Sequence, residues 1–513
     1  MSGGWLTQAS VRTLKSGEAV ATYEGLCVRM QRRLICMAIM GLASTSSAFA
    51  GANAPKTDAL LAGAAKIEFT PNAAELPVST DVIRDPLFAR AIAVKSGRTC
   101  AILIGLDHIS ASDAIVQRAV PRIAAATGCP ARQILISATH THSGSAGGFG
   151  RSSSPTADTV ADAAIAAAKA AKGKMRPARI GYGTTQLSLN VNRDLYTSKG
   201  EWRQLPNMQG NSDKTLAVTW FVDADDIPIG VFMDYAMHPI NFYLTGVISA
   251  DFPGAASRWL EDMFDERAVA IFGQGSAGDQ NPQYMEKTAL TAIRLGLGRH
   301  PQTSAAIPWP GNASSLNGDP RSAANVAVSA EKLTAYHREI GRTGALVDAQ
   351  GVLLASAVLN VMRSTPDLRD EATIASGESI VRCPARRRLD TTNPIRENGL
   401  PPYADDGTIE IKVALLRLAD VYFIAINGEV YSEIGQRLKS ALSDTKIVVV
   451  TLANGSAKSG YIYNDGAARN LTFQVIGSSL KPGCAEAGII RAAVDLIGAA
   501  KNPPLAVIGG PQP

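Results

Sequence analysis

Two histidines one residue apart open the chemical reading of this chain. His140 and His142 stand in ISATHTHSG, where an apolar run stops and a glycine-rich stretch, GSAGGFG, begins. In a strand, residues i and i+2 share a face. An HxH at a strand's carboxyl end therefore aims two imidazoles into one pocket, where α/β folds bind their ligands. His238 follows another apolar run, in DYAMHPINF, and the proline behind it ends the strand. Glu429 lies in FIAINGEVYSEIG, at a third junction of strand and helix. Imidazole nitrogens and a carboxylate, all at strand ends, form a donor set suited to catalytic zinc. Each residue alone has a plainer reading. The HxH can be placed by packing, His238 can be a hydrogen-bonded core histidine, and Glu429 can favour a helix N-terminus.

Three rival chemistries are weaker. Gly273, Gly275 and Gly278 have dinucleotide-loop spacing, but Pro282 interrupts the helix such a loop needs and no acidic residue follows about 20 positions on. Ser276 sits in QGSAG, one glycine short of a nucleophile elbow. An amidohydrolase barrel would need further strand-end histidines, whereas His300 falls in a loop and His337 in a helical run.

The elements that would position these residues alternate. Strand-like runs fall at 88–95, 101–107, 133–139, 215–222, 229–236, 267–272, 410–427 and 445–452. Helical runs fall at 112–127, 156–172, 252–265, 323–342, 346–363, 430–442 and 485–498. This pattern implies an α/β fold, a mixed β-sheet core with flanking helices. Residues 300–322 and 383–407 read as long loops. Asp251, before the 252–265 helix, reads as its N-cap. Arg386, Arg387 and Arg388 read as a solvated loop, with peripheral contact to anionic lipid headgroups as the alternative.

The amino terminus carries a different message. Residues 1–29 read as upstream of the natural start. From Met30 a basic stretch, an apolar run and Ala48-Phe49-Ala50 have the pattern of a signal peptide, Met30–Ala50. A periplasmic or secreted location is expected, with residues 51–513 as a single catalytic domain. Without residues 1–50 the formal charge of +5 falls to +2, because five basic and two acidic residues are removed. That is too little for a nucleic-acid partner. Four cysteines remain, an even number that suits disulfides in an oxidising compartment. Cys100 and Cys129 each precede a strand in one βαβ unit, so they are expected to pair.

With these residues in view, the chain resembles the catalytic domain of the neutral ceramidases. ISATHTHSG, the HP after a strand, SADFPG at 249–254, GDQNP at 278–282, NGE at 427–429, RDPLFARA at 84–91 and GYI at 460–462 carry the resemblance. It implies a neutral-ceramidase-like catalytic domain with Zn²⁺ bound by His140, His238, Glu429 and Tyr461. His142 would contact the reacting carbonyl and Arg193, in NVNRD, would help hold the substrate. The implied reaction is hydrolysis of an amide of ceramide or a related N-acyl lipid by metal-activated water. Another amide, an ester, a lactone, or lipid or glycan binding without turnover are the alternatives.

The chain also departs from the family. Asn281 replaces the family serine, Phe473 falls where a family tyrosine stands, and about two extra residues precede Tyr461. The further C-terminal β-sandwich domain of ceramidases is not expected before Pro513. Asp279 is open between orienting a ligand histidine and holding its loop.

Overall fold

The computed structural model describes residues 59–502, apart from 77–80, 146–153, 244, 286–328, 366, 391–394 and 396. The signal-peptide reading of Met30–Ala50, the loop at 300–322 and His300 lie outside the described residues.

Three larger sheets carry the chain, and each contains one parallel strand pair. The first runs β5 (Ile134–Ala138), β4 (Thr99–Leu106), β3 (Phe88–Ser96), β1 (Leu60–Glu68) and β6 (Arg176–Pro177). Its parallel pair, β4 and β5, is joined through helix α1 (Asp113–Thr127). The second runs β13 (Val269–Gln274), β11 (Pro228–Tyr235), β10 (Thr215–Val222) and β7 (Arg179–Gln186). Here β11 and β13 are parallel and α3 (Asp251–Met263) lies between them in the chain. The third runs β15 (Ile374–Arg388), β16 (Tyr403–Leu418), β17 (Val421–Ile426) and β19 (Lys446–Val450). Its parallel pair, β17 and β19, is linked through α5 (Ser432–Ala441). Parallel strands need such a crossover, since a tight hairpin cannot reverse the chain between them.

Strand alternation explains how the layers stack. Ala91, Ala93, Ile102, Ile104 and Ile136 face α1 and α2 (Ala157–Gly173). Their neighbours Ile92, Val94, Leu103 and Leu135 face the opposite way. There they meet Phe232 and Ile271 of the second sheet and Leu416, Phe423 and Val448 of the third. Both faces of the first sheet are thus buried, and its strands read as near-continuous apolar runs. The outer face of the second sheet is covered by α3 and by α4 (Ala330–Ser364). The outer face of the third is covered by α5 and α7 (Ala485–Lys501). Between them the chain forms α6 (Phe473–Gly477). This is the α/β fold with mixed sheets and flanking helices expected from the sequence.

Smaller strand groups sit around the strand ends. They are β14 (Gln280–Pro282) with β8 (Asn190–Tyr196) and β9 (Trp202–Asn207), β18 (Glu429–Val430) with β20 (Tyr461–Ile462), and β2 (Val82–Ile83) with β12 (Val247–Ile248). Disulfides join Cys100 to Cys129, as expected, and Cys383 to Cys484.

Three expectations need correction. The runs 323–342 and 346–363 form one helix, α4, of 35 residues. The two ends of the expected 383–407 loop, 383–388 and 403–407, are instead paired in β15 and β16. There Arg386 donates to the carbonyls of Val475 (2.6 Å) and Ser478 (3.2 Å) and stacks on Tyr403. Arg387 pairs with Asp406 and Arg388 with Asp390. Asp251 is not an N-cap. It is the first residue of α3, and its carboxylate accepts from Asn241 N–H (2.9 Å), Asn241 Nδ2 (2.7 Å) and Phe252 N–H (2.7 Å).

Candidate metal centre at the strand ends

Each of the three parallel pairs delivers one donor from its carboxyl edge. His140 follows β5, His238 follows β11 and Glu429 follows β17. The strand β5 ends at Ala138, and His140 takes a left-handed backbone with φ of 67°. His140 and His142 therefore converge through a turn, not through the pleat of one strand. The turn is held by His140 N–H donating to the His108 carbonyl (3.0 Å) and His142 N–H to the Pro239 carbonyl (3.1 Å).

The imidazoles are oriented from behind. His140 Nδ1 donates to the Ile109 carbonyl at 2.7 Å, and His238 Nδ1 to the Ala277 carbonyl at 2.7 Å. Burial, with Arg193 close by, pushes His238 down to about 4. Burial and the two neighbouring imidazoles push His142 well below the ordinary histidine value. With Nδ1 of His140 and of His238 turned to those carbonyls, their Nε2 atoms face one another. His140 Nε2 lies 3.1 Å from His238 Nε2, and Glu429 Oε2 lies 3.4 Å from each. Glu429 Oε2 is buried and makes no hydrogen bond to protein. Facing lone pairs beside an ionisable oxygen repel unless a cation lies between them.

The separations fit that cation. Zinc bonds of about 2.0–2.2 Å in a tetrahedron place neighbouring donors about 3.3–3.6 Å apart. His142 Nε2, 3.3 Å from His140 Nε2, is also within the group, since the donor atoms of His140, His142 and His238 all lie within 4.8 Å of one another. Tyr461 stands in register with Glu429 across the β18–β20 pair, and its ring is 6.2 Å from that of Phe473. A metal can be held here.

Arg193 reaches the same place from a β-bulge. The register of β8 against β9 shifts between Asn192 and Asp194, and a bulge re-aims the side chain it carries. Arg193 Nη2 donates to the Gly278 carbonyl (2.6 Å), and Nη1 lies 3.4 Å from Asn281 Oδ1. Its guanidinium carbon is 5.4 Å from the centre of the Tyr461 ring, and its buried Nε makes no hydrogen bond to protein. Asp279 touches no imidazole. It accepts from Ser432 N–H (2.8 Å), Ser432 Oγ (2.9 Å) and Asn192 Nδ2 (3.0 Å), so it ties its loop to the start of α5.

Other candidates stand apart. Ser276 is buried with no histidine partner, and a Cβ at Gly435 would come within 2.4 Å of its Oγ. His337 is exposed on α4. Sequence reasoning missed two neighbours. The Tyr243 ring meets His142 edge-on at 5.3 Å. The loop after β4 supplies the carbonyl that orients His140 and lines, with His108, a cavity of about 370 Å³ beside the donors. The end of β4 (GLDH) was the one available signal, a histidine at a fourth strand end.

Comparison with known proteins gives a partial family match and a shared fold. Residues 72–292 match the family model "Neutral/alkaline non-lysosomal ceramidase, N-terminal". This stretch holds His140, His142, Arg193, His238, Asp279 and Asn281, whereas Glu429 and Tyr461 lie beyond it. A neutral ceramidase of Pseudomonas aeruginosa is 28% identical over 163 residues, 29% of this chain and 24% of that protein. The match thus spans about a quarter of that relative's length. The crystal structure of neutral ceramidase from Pseudomonas aeruginosa aligns with 86% of this chain and 75% of its own at a TM-score of 0.59 and 16% identity. A ceramidase complexed with C2 aligns over the same shares at 0.60 and 16%. At that identity these structures show a shared fold.

Proposed function

We propose, from the match of residues 72–292 to the neutral/alkaline non-lysosomal ceramidase N-terminal family model, that this chain is an exported zinc-dependent hydrolase. Its substrate is ceramide or a related N-acyl lipid, cleaved at the amide. The observation that carries this reading is the pair of Nε2 atoms 3.1 Å apart with Glu429 Oε2 3.4 Å from both. Two disulfides support export, since such bonds persist in oxidising compartments.

His140, His238 and Glu429 would hold the zinc, with Tyr461 in register beside Glu429 as the fourth donor. A zinc bound there supplies Lewis acidity that activates water and polarises a carbonyl. The chain's own residues do the rest. The Arg193 Nε–H has no protein acceptor and can donate to the carbonyl oxygen as negative charge develops on it. His142, kept neutral by burial, can take a proton from the attacking water and return it to the departing amine nitrogen. Asn281 holds Arg193 in place at 3.4 Å, a contact a shorter serine would not make in the same way.

The test combines elemental analysis with turnover. Wild type and His140→Ala/His238→Ala are purified, supplied with zinc and dialysed. Release of free amine from N-acyl lipids is then measured. Wild type is expected to hold about one zinc per chain and to hydrolyse. The still-folded double variant is expected to hold none and to lose at least about a thousandfold in rate. Zinc-free wild type that hydrolyses as fast would sink the proposal.

A further inference from the structure

A ladder of side chains with alternating charge leads from the surface to the loop that holds His140. Lys66 Nζ donates to Glu261 Oε2 (2.8 Å), Arg90 Nε to Glu261 Oε1 (2.8 Å) and Arg90 Nη1 to Asp107 Oδ2 (2.6 Å). Lys66 and Arg90 stand opposite each other on β1 and β3, Glu261 belongs to α3, and Asp107 directly follows β4. Arg90, Asp107 and Glu261 are buried.

Such a ladder is a poor source of stability. Buried charges lose hydration that pairing offsets only in part, and apolar side chains often replace them without loss. At Asp107 burial outweighs the neighbouring Arg90 and raises the carboxyl above its ordinary range. Arg90 Nη2 is buried and makes no hydrogen bond to protein among the described residues. What the ladder does supply is a fixed geometry, and it converges on the loop after β4.

Asp107 is clamped twice to the start of β3. Its N–H donates to the Phe88 carbonyl (3.1 Å), and its Oδ2 accepts from Phe88 N–H (3.0 Å). The next two residues hold His140. The His108 carbonyl accepts from His140 N–H (3.0 Å), and the Ile109 carbonyl accepts from its Nδ1 (2.7 Å). A Cβ at Gly144 would come within 2.8 Å of the Asp107 carbonyl, so the segment after His142 also rests on this residue.

We propose that Asp107, held by Arg90, is a positioning residue for the metal centre. It fixes the backbone at 108–109, whose carbonyls aim His140, and so it sets how tightly the donors hold an ion. This inference rests on the zinc reading above and adds to it a buried residue that touches no donor side chain.

Zinc affinity is measured by chelator competition on wild type, Asp107→Ala, Asp107→Asn and Glu261→Gln, with thermal melting as the check on folding. Losing a group that orients a ligand should weaken zinc binding about tenfold or more in Asp107→Ala. Asp107→Ser, too short to reach both Phe88 N–H and Arg90, should show the same loss and serves if the alanine variant does not fold. Asp107→Asn keeps an acceptor at the same point and should stay within about threefold of wild type. Glu261→Gln disturbs the same ladder away from the loop. It should melt lower than wild type yet bind zinc within about threefold. Wild-type affinity in a folded Asp107→Ala or Asp107→Ser overturns the proposal. So does an equal loss in Glu261→Gln, which would mean general loosening. Hydrogen exchange at the His140 amide is followed in the metal-free proteins, where Asp107→Ala or Asp107→Ser should exchange about tenfold faster or more. A wild type that takes up no zinc sinks the metal reading, and this exchange rate then decides the role of Asp107. An unchanged rate overturns it.

Discussion

His140 holds a left-handed backbone without being glycine, and it is buried. Such conformations persist where surroundings over-determine them, often at functional sites. The sequence showed that His140 and His142 end a strand, but not that a turn brings them together. That turn depends on carbonyls of His108 and Pro239, which lie far away in the chain. Asp194, beside Arg193, was equally invisible, because its character comes from burial. Its carboxyl is pushed up to about 7, chiefly by desolvation, and Tyr431 donates to Oδ2 at 3.1 Å. In the unfolded chain an aspartate ionises near pH 3.9. Between about pH 4 and 7 the unfolded state loses a proton that the folded state keeps, so stability falls as pH rises through that window. Above about pH 7 the loss levels off, at no more than about 4 kcal/mol. Asp194→Asn cannot ionise and should gain stability relative to wild type between pH 4 and 7.5 in denaturant titrations of the metal-free protein. A gap that is the same at both pH values would contradict a protonated Asp194. Ser276→Ala should leave hydrolysis within about threefold of wild type, since no base reaches its Oγ, whereas a serine nucleophile would lose at least about a thousandfold.

At the scale of elements, legibility followed apolar content. Strands such as AILIGL at 101–106 stood out because both faces are buried. The strand RIGYGTTQ at 179–186 did not, since its pattern is broken by glycine and polar residues facing solvent. The long α4 read as two helices because Thr343 and Gly344 interrupt the apolar run. A Cβ at Gly344 would lie 2.9 Å from Arg84 Nε, so that glycine marks a close approach, not a helix end. The bulge that aims Arg193 has no composition signature at all. Gly435 in α5 offers a test at this scale. Alanine there would add helix propensity worth about 1 kcal/mol. Its Cβ, however, would come 2.7 Å from Ser276 Cβ in a buried site. Gly435→Ala is therefore expected to destabilise by about 1–3 kcal/mol despite the propensity gain. Adding Ser276→Gly should restore most of it. A Gly435→Ala protein as stable as wild type in urea would show that α5 can shift away from the loop.

At the scale of the molecule, three sheets share one central core, and each has its outer face covered by helices. Cys383–Cys484 joins β15 to the start of α7 across 101 residues, and so ties the covering helix to its sheet. Replacing both cysteines by alanine should cost about 2–5 kcal/mol. The thermal midpoint should drop, and a reducing agent, which also opens Cys100–Cys129, should lower wild type at least as far. An unchanged midpoint would mean that the packing of α7 against β15 and β16 is sufficient without the bond.

The three donors come from three different sheets, one per parallel strand pair. No single sheet, and no fragment containing only two, carries the full donor set. Ion affinity is thus a gauge of assembly. A chain whose sheets are folded but undocked would be blind to zinc, and loading would return only as the last sheet seats. Zinc uptake during refolding should accordingly lag behind the recovery of strand signal in circular dichroism and coincide with closure of the shared core.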